Sequence, residues 1–152
     1  MNKKHLVVLL ALAFGLAWFL PVIKDGVTFP KGLPGWEAFR VAASPVWPID
    51  DSAGSSDDPW YWNVLSVLSA ATNAVMLFSL AVLVLNRSSL TRVMAWSAGL
   101  AFCINAQWCV RMGIDHLSDL RIGYFLWWAS FLALFVLLLS VRTSQIAARR
   151  AA

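Results

Sequence analysis

The chain has 152 residues, of which 60% are hydrophobic and only 13% charged. Soluble proteins carry about 25% charged residues, so the composition excludes an ordinary soluble protein and indicates one membrane-embedded domain, residues 1–152. The net charge of +4 would suit a nucleic-acid partner. The basic residues are scattered at the ends of apolar runs and form no stripe, however, which argues against nucleic acid. We therefore expect an all-α protein surrounded by membrane lipids.

The first predicted element is a transmembrane helix over residues 5–23. Two lysines precede an unbroken apolar run that reaches Pro21. A secretory signal peptide has the same outline, but its cleavage needs small residues just past the apolar core. Bulky residues, among them Trp18 and Phe19, occupy that place. The pattern favours an uncleaved first helix over a removed signal.

Residues 24–59 form the one long predicted connection, and proline and glycine are frequent in it. Within it, Trp36, Phe39 and Ala43 follow Pro34 at helical spacing. This pattern predicts a short helix lying in the membrane interface. A loop whose aromatic side chains touch lipid headgroups is the open alternative.

The acidic tract 50–58 is predicted to be a solvated loop. A calcium loop would need a closing glutamate where Tyr61 and Trp62 stand, so calcium is disfavoured. This tract and the aromatic residues after it are candidate contacts for a protein partner. The candidates are Asp50, Asp51, Asp57, Asp58, Trp60 and Trp62.

Three further transmembrane helices are predicted, over residues 60–85, 90–110 and 122–141. The first two are joined by the short polar link 86–89, and each can cross a hydrocarbon core of about 30 Å. They therefore form a helical hairpin. A short polar connection, 111–121, leads to the last helix. The prediction is a four-helix bundle.

The positive charges orient this bundle. Both termini and the link 86–89 share one side, which holds seven basic residues and no acidic one: Lys3, Lys4, Arg87, Arg92, Arg142, Arg149 and Arg150. The other side holds five basic residues and all eight acidic ones. The positive-inside rule then predicts cytoplasmic termini and an acidic outer face.

Polar side chains lie on single faces of the two hairpin helices. Ser66, Ser69 and Asn73 share a face of the first, and Asn105 lies on a face of the second with Ser97, Ala101 and Trp108. Helix packing through hydrogen bonds is the simplest interpretation. A ligand or lipid site on this Asn73–Asn105 seam stays open. A transport path is disfavoured because no ionisable residue lies deep in a span.

No reactive motif is present. Cys103 and Cys109 are six residues apart, which turns them too far round a helix to bond to each other, and we expect Cys103 to be buried. Cys109, Met112 and His116 would suit Cu(I) if the third helix continued, but Gly113 weakens that helix. We predict no enzyme, no cofactor and no metal.

Two stretches carry a resemblance. The loop Gly35-Trp36-Glu37-Ala38-Phe39 and the segment Gly123-Tyr124-Phe125-Leu126-Trp127-Trp128-Ala129-Ser130-Phe131 resemble a group of small bacterial four-helix membrane proteins of uncharacterised function. In that group, similar motifs bracket the central hairpin. The resemblance implies the four-helix architecture and a bacterial inner membrane, and it implies no activity.

The leading functional hypothesis is a non-catalytic accessory or assembly subunit of a larger membrane complex, in contact with protein partners in the membrane or on the outer face. The second is an immunity protein whose acidic outer loop meets a basic, membrane-acting toxin. The third is a protein that binds a lipid or small ligand in the Asn73–Asn105 seam.

Overall fold

The computed structural model of the chain describes residues 3–24, 32–48 and 59–151. Six helices, one short 3-10 turn and one two-stranded sheet occupy these ranges. In chain order the elements are α1 (Lys3–Ala17), β1 (Pro21–Ile23), β2 (Leu33–Pro34), α2 (Gly35–Ala43), α3 (Trp60–Val84), α4 (Ser88–Asn105), α5 (Gln107–His116), the 3-10 turn (Leu117–Asp119) and α6 (Ile122–Ala151). The all-α prediction is confirmed, with the small sheet as an addition.

In the part of the chain that the structure describes, three helical segments are long and apolar enough to cross a membrane: Trp60–Val84, Ser89–Asp119 and Ile122–Thr143. The two helices of the predicted hairpin and the last predicted helix are among them. α1 has 15 residues, or about 22 Å at the rise of an α-helix, which is less than the thickness of a hydrocarbon core. The count of four spanning helices is therefore not confirmed.

The prediction that α1 extends to residue 23 is wrong, because the helix ends at Ala17. Pro21 disfavours helical backbone in the residue before it and offers no N–H group. The carbonyl groups of Trp18 and Leu20 instead accept hydrogen bonds from the N–H groups of Trp36 (3.0 Å) and Gly35 (3.2 Å). The end of the first apolar run thus caps the first turn of α2, where N–H groups lack partners within the helix.

The extended segment after α1 is paired on both of its edges. On one edge β1 pairs with β2 in an antiparallel sheet. On the other, Val22 O accepts from Arg121 N–H and Lys24 N–H donates to Asp119 O, both at 2.8 Å. We call this the sheet end of the bundle.

The opposite end of the bundle holds the turn between α3 and α4, and we call it the link end. There Lys3 Nζ donates to Asn86 Oδ1 at 3.1 Å. Because Lys3 lies at the link end and Lys24 at the sheet end, residues 3–24 run along the whole bundle, first as helix and then as strand.

The predicted short helix in the long connection is confirmed as α2. Its buried residues Ala42 and Ala43 pack with Ala70 of α3, and Phe39 and Trp108 cover this contact. α2 therefore lies against α3 at the sheet end.

The core lies between α4 and α6, with α3 and α1 packed beside them. Small residues on α4 let α6 approach closely, as is usual between membrane helices. The fully buried members are Met76, Ala98, Phe131, Leu134 and Leu138.

The predicted end of the third helix at residue 110 is wrong. The helix is interrupted at Ala106 and resumes as α5, which covers much of the predicted polar connection 111–121. Gly113 then leaves the helical conformation, with φ 71° and ψ 170°. Only glycine adopts such a backbone without strain, so this residue ends the regular part of the segment.

Candidate functional site

The predicted polar seam is present, and Asn105 is its centre. Asn105 is fully buried. Its Oδ1 accepts from Ser69 Oγ at 2.8 Å, and its Nδ2 donates to Thr72 Oγ1 at 3.1 Å. Ser69 Oγ in turn accepts from Trp108 Nε1 at 3.0 Å. Thr72 was missed from sequence, although its position three residues after Ser69 places it near the same face of α3.

Asn73 has different partners from Asn105. Its Oδ1 accepts from Trp127 Nε1 of α6 at 3.0 Å, and its Nδ2 donates to Ala70 O at 2.8 Å. The two asparagines therefore do not bond to each other. Asn105 joins α4 to α3, whereas Asn73 joins α3 to α6.

The aromatic residues that open α6 turn inward and satisfy backbone groups of α4. Because the helix is interrupted at Ala106, Cys109 N–H donates to Ala106 O instead of to Asn105 O. The carbonyl of Asn105 accepts from the Tyr124 hydroxyl at 2.9 Å, and that of Phe102 accepts from Trp128 Nε1 at 2.9 Å. Tyr124, Trp127 and Trp128 have the spacing of one helix face, and this spacing is the sequence signal that could have identified them.

Arg111 lies in α5 and reaches back to α3. It donates to Ser66 Oγ at 3.2 Å. Its guanidinium carbon lies 5.4 Å from the centre of the Trp108 ring and 5.7 Å from that of Trp62. Of the aromatic partner candidates, Trp62 thus contacts Arg111, whereas Trp60 is 75% exposed. The candidates Asp50, Asp51, Asp57 and Asp58 lie outside the described residues.

The potential metal ligands do not come together. Cys109 Sγ lies 3.4 Å from the Tyr124 hydroxyl oxygen, and His116 Nδ1 lies 3.1 Å from Asp119 Oδ2. Within residues 3–24, 32–48 and 59–151, no three His, Cys, Asp or Glu residues are placed to hold a metal. The prediction that Cys103 is buried is wrong, because its side chain faces outward from α4.

A cavity of about 650 Å³ lies beside the seam, at the sheet end. We call it the sheet-end cavity. Its polar lining comes mainly from α3 and α5 and includes Asn63, Ser66, Ser69, Asn73, Trp108 and Arg111, while Ser44 adds a hydroxyl group at the end of α2. Its apolar lining comes mainly from α1, the sheet and α2, and includes Ala17, Trp18, Val22, Ile23, Leu33, Ala38, Phe39 and Ala42. Tyr124 and Trp127 of α6 also line it.

The volume of the cavity falls in the range of about 300–1,000 Å³ that is usual for small-molecule sites. Its lining offers hydrogen bonds on one side and apolar contact on the other. Among the described residues that form it there is no Asp, Glu, His or Cys, and Arg111 is the single charged residue. The chemistry available here is binding of an amphipathic molecule.

The fold and this site define a helical protein with apolar, membrane-length segments and a two-sided cavity between them. Comparison of the chain with protein-family models, with curated proteins and with solved structures finds no match. Functional conclusions therefore depend on the geometry of the chain itself.

Proposed function

We propose that this protein is a non-catalytic membrane protein that binds a small amphipathic molecule in the sheet-end cavity. The observation that carries the proposal is the division of the cavity wall. Hydrogen-bonding groups of α3 and α5 line one side, and apolar groups of α1, the sheet and α2 line the other. A ligand with a polar head and an apolar body matches both sides. The proposal develops the third hypothesis drawn from the sequence, which placed a ligand in the Asn73–Asn105 seam. Asn73 lines the cavity, whereas Asn105 does not.

The proposed setting is a bacterial inner membrane that the chain crosses four times, with both termini in the cytoplasm. The course of residues 3–24 from Asn86 to Asp119 supports a crossing by the first segment. Its last part is extended backbone, which is tolerated at membrane depth where protein covers it. The excess of basic residues near the link end supports the orientation. The sheet-end cavity would then lie toward the outer face.

The accessory-subunit and immunity-protein hypotheses remain proposals. No contact among the described residues favours either of them. Both depend on surfaces that meet another protein. The aspartates on which the second relies lie outside the described residues.

Filling the cavity is expected to displace the ligand. Ala70 lines the cavity, whereas Ala71, the next residue of α3, faces outward. We expect Ala70→Leu to lower the amount of amphipathic molecule retained after mild detergent extraction several-fold, because the added side chain occupies the space. Native mass spectrometry of the intact protein measures the retained mass.

Ala71→Leu is the matched control, since it adds the same atoms outside the cavity, and it should retain as much ligand as the unmodified protein. Ala38→Leu fills the cavity from α2 and serves if the first variant does not fold. Equal retention by the filled and control variants, or no retained molecule in any of them, would contradict the proposal.

The proposed orientation has its own test. Ser118 and Ser89 are both exposed and lie at opposite ends of the bundle. In a background with Cys103→Ser and Cys109→Ser, a membrane-impermeant maleimide added to intact cells should label Ser118→Cys and spare Ser89→Cys. Labelling of Ser89→Cys alone would show that the chain has the opposite orientation. Labelling of His5→Cys from outside, together with Ser118→Cys, would show that the first segment does not cross the membrane.

A further inference from the structure

We infer that the ligand of the sheet-end cavity carries an uncharged head that both donates and accepts hydrogen bonds, a hydroxyl or a carboxamide, and that Asn63 and Ser66 bind it. This inference rests on the proposed function and deepens it. It assigns the chemical class of the head group and the residues that recognise it.

The first argument is that the polar groups toward the middle of α3 already have partners. Ser69 Oγ donates to Asn105 Oδ1 and accepts from Trp108 Nε1. Asn73 Oδ1 accepts from Trp127 Nε1, and its Nδ2 donates to the backbone of α3. Most of the hydrogen-bonding capacity of these groups is used within the protein, so they offer little to a ligand.

The second argument is that two lining residues nearer the start of α3 keep open capacity. The side-chain amide of Asn63 forms no hydrogen bond with the described part of the chain. Ser66 Oγ accepts from Arg111, but the hydroxyl proton of Ser66 has no acceptor among the described residues, and Ser66 is only 5% exposed. A buried hydroxyl group that does not donate loses a hydrogen bond that water would give it. A ligand atom that accepts from Ser66 would restore this bond.

The third argument is the position of the two residues. Asn63 and Ser66 are three residues apart on α3, so they are neighbours on one face of the helix, with Cβ atoms about 5–6 Å apart. One head group can therefore contact both. Ala70 follows Ser66 by one turn, and Phe39 covers the contact of Ala70 with α2. The apolar body of the ligand would lie against Phe39 and Trp18, which stack on each other with ring centres 5.4 Å apart.

The head group follows from the donors and acceptors that are open. The amide of Asn63 offers two N–H donors and one carbonyl acceptor, and the hydroxyl group of Ser66 offers one donor. A hydroxyl or carboxamide head donates to Asn63 Oδ1 and accepts from Ser66 Oγ–H. An ether or an ionised carboxylate only accepts, so it would leave Asn63 Oδ1 without a donor.

The test compares four probes that share one chain and differ in the head. They are ω-bromododecanol, ω-bromododecanamide, ω-bromododecyl methyl ether and ω-bromododecanoate, at a pH at which the last is ionised. The protein is placed in phosphatidylcholine nanodiscs, and bromine quenching of tryptophan fluorescence reports binding, because Trp18, Trp108 and Trp127 line the cavity. Saturable quenching that Ala70→Leu removes is taken as cavity binding.

We expect the alcohol and the amide to bind the unmodified protein about tenfold more tightly than the ether and the carboxylate, because only the first two donate to Asn63 Oδ1. Comparison of the alcohol with the ether isolates the donated bond, since both heads are uncharged and both accept. The relative affinities of the alcohol and the amide distinguish a hydroxyl head from a carboxamide head.

Two variants assign the residues. Asn63→Leu, which keeps the size of the side chain, should lower the affinity for the alcohol and the amide about tenfold and remove most of their advantage over the ether. Ser66→Ala should weaken the binding of all four probes, since each of them accepts a hydrogen bond. Ser130→Ala is the control and should change none of them, because Ser130 is a buried serine of α6 that does not line the cavity. An equal loss for all four probes in Asn63→Leu would show that Asn63 does not recognise the head.

The outcomes separate the two proposals. If the ether or the carboxylate binds the unmodified protein as tightly as the alcohol and the amide, the assignment of the head is wrong and the proposed function stands. If none of the four probes shows saturable quenching that Ala70→Leu removes, the proposed function itself fails. The comparison of probes on the unmodified protein decides the matter even if a variant does not fold.

Discussion

Replacement of Gly123 by alanine is expected to destabilise the protein by about 1–3 kcal/mol, the usual cost of overpacking a tight contact. A Cβ atom at this position would lie 2.6 Å from Pro21 O and 2.7 Å from Leu20 O. Both are backbone atoms, and Leu20 O already accepts the hydrogen bond from Gly35 N–H. The clash can be relieved only by a backbone shift, either of the turn after α1 or of the start of α6. Reversible unfolding in mixed detergent micelles measures the change in the free energy of unfolding.

Gly35→Ala should have a similar effect, since its Cβ atom would overlap Ala17 O and lie 2.8 Å from Trp18 Cα. Gly15→Ala is the matched control. Among the described residues, no atom outside the adjoining backbone of α1 and the two chain neighbours lies within 4 Å of the Cβ position at Gly15, so this change should stabilise α1 by up to about 1 kcal/mol through helix propensity. A Gly123→Ala protein as stable as the Gly15→Ala protein would show that the close contact is not required.

The second large effect is expected for Asn105→Ala. The substitution removes the hydrogen bonds with Ser69 and Thr72 and leaves their buried hydroxyl groups with fewer partners. Hydrogen bonds between membrane helices contribute about 0.6 kcal/mol on average and up to about 1.7 kcal/mol. We expect a loss of about 1–3 kcal/mol in the free energy of unfolding, because two bonds are lost at a fully buried site.

Ser97→Ala controls for the loss of a polar group from α4. Ser97 is half-buried two turns earlier and forms no side-chain hydrogen bond with the described part of the chain, so its replacement should change stability little. The double variant Asn105→Ala/Thr72→Val should be less destabilised than the sum of the two single variants, since the two residues share a bond. If the two single changes in the free energy of unfolding simply add in the double variant, the bond between Asn105 and Thr72 does not contribute to stability.

Gly35 and Gly123 show which features of the fold could be predicted from the sequence and which could not. Gly35 and Gly123 were noted because each opens a stretch that resembles a known group of small membrane proteins. The structure brings both onto the turn 17–21, one from each side. Nothing in their spacing predicts this contact, because it depends on where α1 ends. That end depends on hydrogen bonds to Trp36 and Gly35, which are far along the chain from it.

The sequence predicted most of the residues that form the seam, but it did not predict which of them bond to each other. Helical spacing identified Ser69, Asn73 and Asn105, since the periodicity of an α-helix fixes which residues share a face. Helical spacing does not give the rotation of one helix about its axis or its shift along that axis relative to the neighbouring helix. Those decide that Asn105 meets Thr72 and that Asn73 meets Trp127.

The sequence by itself predicted the long apolar helices, a short helix over 36–43 as one of two alternatives, and the helix faces that carry polar groups. These follow from local hydrophobicity, proline positions and helical period. The tertiary structure alone decided the strand at residues 21–23, the interruption at Ala106 and the return of Arg111 to Ser66. Each of these satisfies or uses a polar group through a partner distant in sequence. The sheet-end cavity belongs with them, because a space between α1, α2, α3, α5 and α6 exists only once all five are packed.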